Sequence, residues 1–132
     1  MKHVIFFIVL CIGNILIAQS NDIKFLSDRS FNSKIKAPRV VTVVEFWAEW
    51  NAYNQCNYLK KLKECKVYRV NIDDSPALVK RYNVKVVPTV IVFESGKVIE
   101  KYEANLMFQA AGKFSYDGIQ HAVDSLILKR FE

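Results

Sequence analysis

The candidate nucleophiles of this chain are Cys56 and Cys65, nine positions apart in N-Q-C-N-Y-L-K-K-L-K-E-C. Paired thiols often bridge in an oxidising compartment. This stretch reads as mostly helix, however, and nine residues at about 1.5 Å each hold the two Cα atoms about 13 Å apart. A disulfide tolerates at most about 7 Å, so the pair is expected to stay open unless the chain doubles back. Cys56 falls on the helix side shared with Ala52 and Leu59, where burial raises a thiol's pKa and leaves it a packed, inert group. Cys65 lies near the helix end among lysines, which favour a thiolate, and is expected to be the more accessible thiol. Asn51 is placed to cap the start of the same helix through its side chain.

Other chemistries lack their parts. His3 lies in the N-terminal stretch and His121 stands alone near the other end, so no Ser-His-acid set can be assembled. No His, Cys, Asp or Glu pair has metal-ligand spacing, and there is no Gly-rich phosphate loop. No cofactor or metal is expected.

The first nineteen residues, M-K-H-V-I-F-F-I-V-L-C-I-G-N-I-L-I-A-Q, run from a short basic start through a nearly unbroken apolar stretch to the small, polar exit Ala18-Gln19-Ser20. They read as a cleaved secretory signal, too short and poorly flanked for a membrane span; an uncleaved N-terminal anchor is the alternative. Ile8-Val9-Leu10 in front of Cys11 lacks the small residues that lipid modification requires, so Cys11 is taken as part of the discarded run. The mature domain is expected over residues 20–132, in the periplasm or secreted, with no membrane span after cleavage. A composition of 52% hydrophobic and 24% charged residues fits one compact domain rather than a disordered chain. The formal charge of +6 is densest at Lys60, Lys61, Lys63 and Lys66. These alternate with Leu59 and Leu62, as on the wet side of an amphipathic helix, and nucleic acid is not expected as a partner.

The elements that must position these residues follow from periodicity. Residues 23–26 read as a short strand, and Ser27 or Asp28 starts a helix through Phe31 and Ile35, broken at Ala37-Pro38-Arg39. V-V-T-V-V-E-F-W is short, β-branched and continuously apolar, as a buried central strand should be. The Asn51 helix follows, then a strand over 67–73, then a helix opened by Ser75-Pro76. Residues 84–93 read as a strand interrupted by Pro88, which lacks an N–H for a ladder and marks a strand start, an edge or a cis bond. E-S-G-K turns into V-I-E-K-Y, and Asp117 to Phe131 carries Ile119, Val123, Leu126 and Ile127 on one helical face. The order β-α-β-α-β-α-β-β-α implies an α/β fold, a mixed sheet covered on both faces.

Several of these motifs, in this order, resemble the thioredoxin family over nearly the whole mature chain. L-S-D-R-S-F (26–31) is similar to its first strand-to-helix passage, and V-E-F-W-A-E-W (44–50) to the strand entering its active site. N-I-D-D-S-P-A-L-V-K-R-Y-N-V-K-V-V-P-T-V-I-V-F (71–93) resembles its most recognisable block, and F-E-S-G-K-V (93–98) its hairpin. The resemblance implies a thioredoxin-like three-layer α/β/α fold with a mixed central sheet. It places the attacking cysteine at Asn51, after Trp50, and the resolving cysteine at Asn54. It puts the buried acid at Glu45 with a basic partner at Arg69, and the cis-proline at Pro88, preceded by Val87, whose backbone pairs with extended substrate. Ala104 takes the small-residue position on the last strand. The chain departs from the family in a shorter active-site helix and a longer link over 106–116.

Dithiol exchange needs a thiolate with its pKa lowered by the helix start and a second thiol to resolve the mixed disulfide. Asparagine supplies neither. The leading reading is therefore a binding module for an extended polypeptide or an envelope protein partner, although the fold-level resemblance supports its rival equally. Trp50, Val87, Pro88 and Ala104, with Leu106–Phe108, would line a shallow apolar groove beside a free backbone edge. The rival is a single-thiol disulfide exchanger or isomerase using Cys56 or Cys65; a structural subunit of an envelope assembly is a third reading. Glu45 and Arg69 are left with a structural role.

Overall fold

The computed structural model describes residues 22–132. The N-terminal stretch read as a signal, with His3 and Cys11, lies outside them. The sheet has the order β1-β3-β2-β4-β5, built from β1 (Lys24–Phe25), β2 (Val41–Trp47), β3 (Lys66–Asn71), β4 (Thr89–Glu94) and β5 (Lys97–Glu103). The first three strands are mutually parallel, and β4 runs antiparallel to both β2 and β5. The sheet is mixed, as the element order implied.

Alternation along β2 decides which side chain faces which layer. Val44 and Phe46 join Val70, Ile91 and Phe93 beneath α1 (Asp28–Ile35) and α2 (Pro76–Arg81), whose Phe31, Ile35 and Leu78 close that half of the core. Val41 and Val43 face the other way, with Val90 and Val92, and pack against Cys56, Leu59, Leu62 and the α3 residues Ile119, Val123 and Leu126. The last helix, α3, spans Tyr116–Lys129. Two apolar layers, one on each face of a single sheet, make the three-layer arrangement.

Local chemistry explains where the helices begin. Ser27 caps α1 in a reciprocal box, its hydroxyl taking the Ser30 amide while the Ser30 hydroxyl takes the Ser27 amide. Pro76 sits in the first turn of α2, where its missing N–H costs nothing. The far end of α2 is closed from β5: Lys101 Nζ donates to the carbonyls of Tyr82 and Asn83 at 3.0 and 2.9 Å.

Two expectations are corrected. The stretch after Trp47 is not an α-helix but two 3-10 turns, Glu49–Asn54 and Asn57–Lys61, broken at Gln55 and Cys56. The Trp47 indole holds the Gln55 side chain at 3.0 Å, turning the chain at that point. Residues 84–88 are likewise outside the sheet, and β4 begins only at Thr89, after the Val87–Pro88 bond, which is cis. A proline at that point removes the donor that would have extended the ladder.

Candidate functional site

The open end of the sheet brings together the first 3-10 turn, the segment before β4 and the loop after β5. Trp50 stands 61% exposed on the turn, with Phe108 of the loop edge-on against it at 5.2 Å. Beneath them is a small cavity of about 90 Å³ lined by Trp50, Ile72, Val84, Val87 and Phe108, among others. Val87 and Pro88 themselves are buried, so they form the floor of this end rather than an open groove wall. Ala104 lies one residue beyond β5 rather than on it, and its amide donates to the Pro88 carbonyl at 3.0 Å, fixing where the loop departs.

Asn51 sits at the centre, nearly buried. It does not cap a helix: the residue in front of the turn is Ala48, with no side-chain cap. Instead the Asn51 amide Nδ2 donates to the Val87 carbonyl at 3.0 Å and to the Phe108 carbonyl at 3.2 Å. Asn54 Nδ2 donates to Asn51 Oδ1 at 2.8 Å, which sets the orientation of the Asn51 amide. Two asparagines thus tie three chain segments together where the resemblance placed two cysteines. The backbone edge expected to be free at Val87 has its carbonyl engaged.

Below this end runs one row of the sheet whose residues are direct partners, Phe25, Arg69, Glu45 and Val90. The Glu45 side chain is completely buried. Its Oε1 takes Arg69 Nε at 2.9 Å and lies 2.7 Å from Nη2, and its Oε2 takes the backbone amide of Cys56 at 2.9 Å. The guanidinium also rests against the Phe25 ring, 5.9 Å from its centroid. One carboxylate therefore neutralises a buried cation and satisfies a buried amide at the break between the two turns.

Cys56 is not on a helix face but at that break, 2% exposed. Burial, and after it the nearby Glu45 carboxylate, pushes its thiol up to about 12. Burial also raises the neighbouring Tyr58 hydroxyl. Cys65 is half-buried and is pushed up to about 11, by burial first and then by Asp124 and Glu64; the surrounding lysines do not reverse this. Both thiols are unbridged. Tyr53, 99% exposed beside Trp50, was not singled out from the sequence. The signal available was an aromatic residue set between asparagines in W-N-A-Y-N.

Among the described residues no group of three or more His, Cys, Asp or Glu side chains could hold a metal ion. No described helix is long and apolar enough to cross a membrane.

A mixed five-stranded sheet between two helical layers, with a cis-proline facing a turn at the end of the second strand, defines an α/β fold of thioredoxin type. A family model described as Thioredoxin matches residues 22–111, and the chain belongs to that family. Its relatives include the chloroplast thioredoxin M4 of Arabidopsis thaliana, 32% identical over 89 residues, which are 61% of this chain but 45% of that protein. Thioredoxin of Chlamydia caviae is 33% identical over 87 residues, covering 60% of this chain and 81% of the relative. Among solved structures, a mutant thioredoxin from Halobacterium salinarum aligns over 80% of this chain and 90% of its own, with a TM-score of 0.60 at 18% identity. A designed protein aligns with a TM-score of 0.62 at 17% identity, over 80% of this chain and 96% of its own. At such identities these structural likenesses speak for the fold alone.

Proposed function

We propose that this chain is a secreted or periplasmic thioredoxin-like domain that binds extended polypeptide without dithiol exchange. The observation that carries the reading is the apolar surface gathered at the end of the sheet. Trp50, Tyr53, Leu106 and Met107 are 61%, 99%, 99% and 70% exposed, with Phe108 packed on Trp50. Exposed aromatic and methionine side chains gathered on one rim are a common signature of interaction surfaces. No thiol stands among them: the sequence has cysteines at 11, 56 and 65 and no C-x-x-C spacing.

The geometry favours binding over single-thiol exchange. Exchange needs an accessible thiolate, and a thiol pushed up to about 12 inside the core supplies almost none near neutral pH. The proposed compartment rests on the apolar run of residues 1–19 and its polar exit.

The probe is reduced, carboxymethylated α-lactalbumin, a permanently unfolded polypeptide, titrated into the mature protein by calorimetry. Cys56→Ser/Cys65→Ser is expected to bind as the parent does. Trp50→Ala/Leu106→Asp is expected to weaken binding by roughly tenfold or more, the scale of losing a central aromatic anchor. Loss of binding in the cysteine variant would instead favour the exchanger.

A further inference from the structure

We propose that the Asn51 side chain is a latch, holding residues 105–109 closed over the Val87 carbonyl, and that an extended chain enters this end of the sheet only when it opens. The proposal rests on the binding reading above and adds its control.

The loop is closed on itself by hydrogen bonds. Asn105 Oδ1 takes the amides of Met107 and Gln109 at 2.9 and 3.1 Å. The Asn105 backbone takes the Phe108 amide at 3.0 Å, and the Asn105 amide reaches the Gln109 carbonyl at 2.9 Å. These bonds last only while Phe108 keeps the backbone conformation that its docking holds, so undocking frees the Phe108 and Gln109 amides. The loop's docking at this end includes the Phe108 carbonyl on the Asn51 amide and the Phe108 ring on Trp50. Phe108 makes both from a left-handed backbone, φ +57, that a residue with a Cβ seldom adopts. The conformation is held by those contacts and opposed by local sterics.

The other hydrogen of the same amide is spent on Val87. Residues 84–88 make no ladder, so the Val87 carbonyl is the acceptor that an added strand at this end would take first. A guest chain therefore competes with Asn51 for it, and displacing the amide from Val87 also weakens its hold on Phe108. Opening the loop and filling the site are one event. Asn54 is the positioning residue, since its bond to Oδ1 turns the two Asn51 hydrogens towards the two carbonyls.

The test is amide hydrogen exchange on the full mature chain, with binding of carboxymethylated α-lactalbumin read separately. In Asn51→Ala and in Asn51→Asp, which presents an acceptor to both carbonyls, the Phe108 and Gln109 amides are expected to exchange roughly tenfold faster while β4 amides keep their protection. Asn54→Ala, which leaves Asn51 in place, should give a smaller increase at the same amides and guards against a variant that does not fold. The loosened proteins should bind the probe several-fold more tightly. Unchanged exchange in folded variants overturns the latch. A loosened loop with unchanged affinity overturns the gate alone, and binding to neither protein rejects the binding reading together with the gate.

Discussion

Glu45→Ala would remove the one carboxylate that holds Arg69 and the Cys56 amide. Two separable costs follow. Arg69, 7% exposed, keeps its charge and loses its counter-ion, a loss of about 3–5 kcal/mol for breaking a buried pair. The Cys56 amide, which gave its hydrogen to Oε2, is left without an acceptor at a further cost of about 1–3 kcal/mol. The contact with the Phe25 ring is too weak to replace a carboxylate, at about 0.5–2 kcal/mol. Against a typical total of about 5–15 kcal/mol, this single change removes a large share of the domain's stability. In Glu45→Ala/Arg69→Met the stranded charge is gone and only the amide remains unpaired. The double variant is therefore expected to unfold at clearly higher urea than Glu45→Ala, with the difference near the charge cost. Equal midpoints for the two variants, or a Glu45→Ala midpoint within about 1 kcal/mol of the parent, would show that Arg69 escapes to water and that the pair does not anchor this row.

Cys56 gives a pH dependence with a definite sign. Its folded pKa of about 12 lies above its ordinary 9.0, so the stability it lends is intact below pH 9. That stability drains between pH 9 and 12 by about 1.4 kcal/mol per unit; urea midpoints at pH 8 and 10 should fall less in Cys56→Ser than in the parent. Iodoacetamide at pH 8 should reach Cys56 only after denaturation. Gly118→Ala is expected to destabilise despite alanine's better helix propensity. Its Cβ would clash with the Lys113 carbonyl oxygen, so the backbone before α3 must shift, at about 1–3 kcal/mol in a urea titration.

Most of the fold was legible because its signals are local and repeated. The apolar run of β2, the serine start of α1, the Ser75-Pro76 opening of α2 and the one-faced apolar spacing of α3 each follow from the chain's own periodicity. What misled was the stretch from Glu49 to Lys61. Leucines and lysines at three- and four-residue spacing suggest an amphipathic helix, and the same residues in two 3-10 turns still bury Leu59 and expose Lys60 and Lys61. Spacing cannot separate those outcomes, because the break at Gln55 is set by a long-range bond to Trp47 and by the Cys56 amide on Glu45.

The site divides along the same line. Trp50 and Leu106–Phe108 were placed at this end only by the family resemblance, since Leu106, Met107 and Phe108 taken singly read as cover for the sheet. The task performed by Asn51 was not legible, because a side-chain amide reads locally as a cap. Its actual partners, Val87 and Phe108, are 36 and 57 positions away. An asparagine has what a cysteine at that point lacks, two strong donors on one atom directed to two carbonyls. A thiol there would offer one weak donor and would leave at least one of the two segments untied. The position that the resemblance gives to an attacking cysteine here holds Val87 and Phe108, and the loop that carries Leu106 and Met107 is held with it.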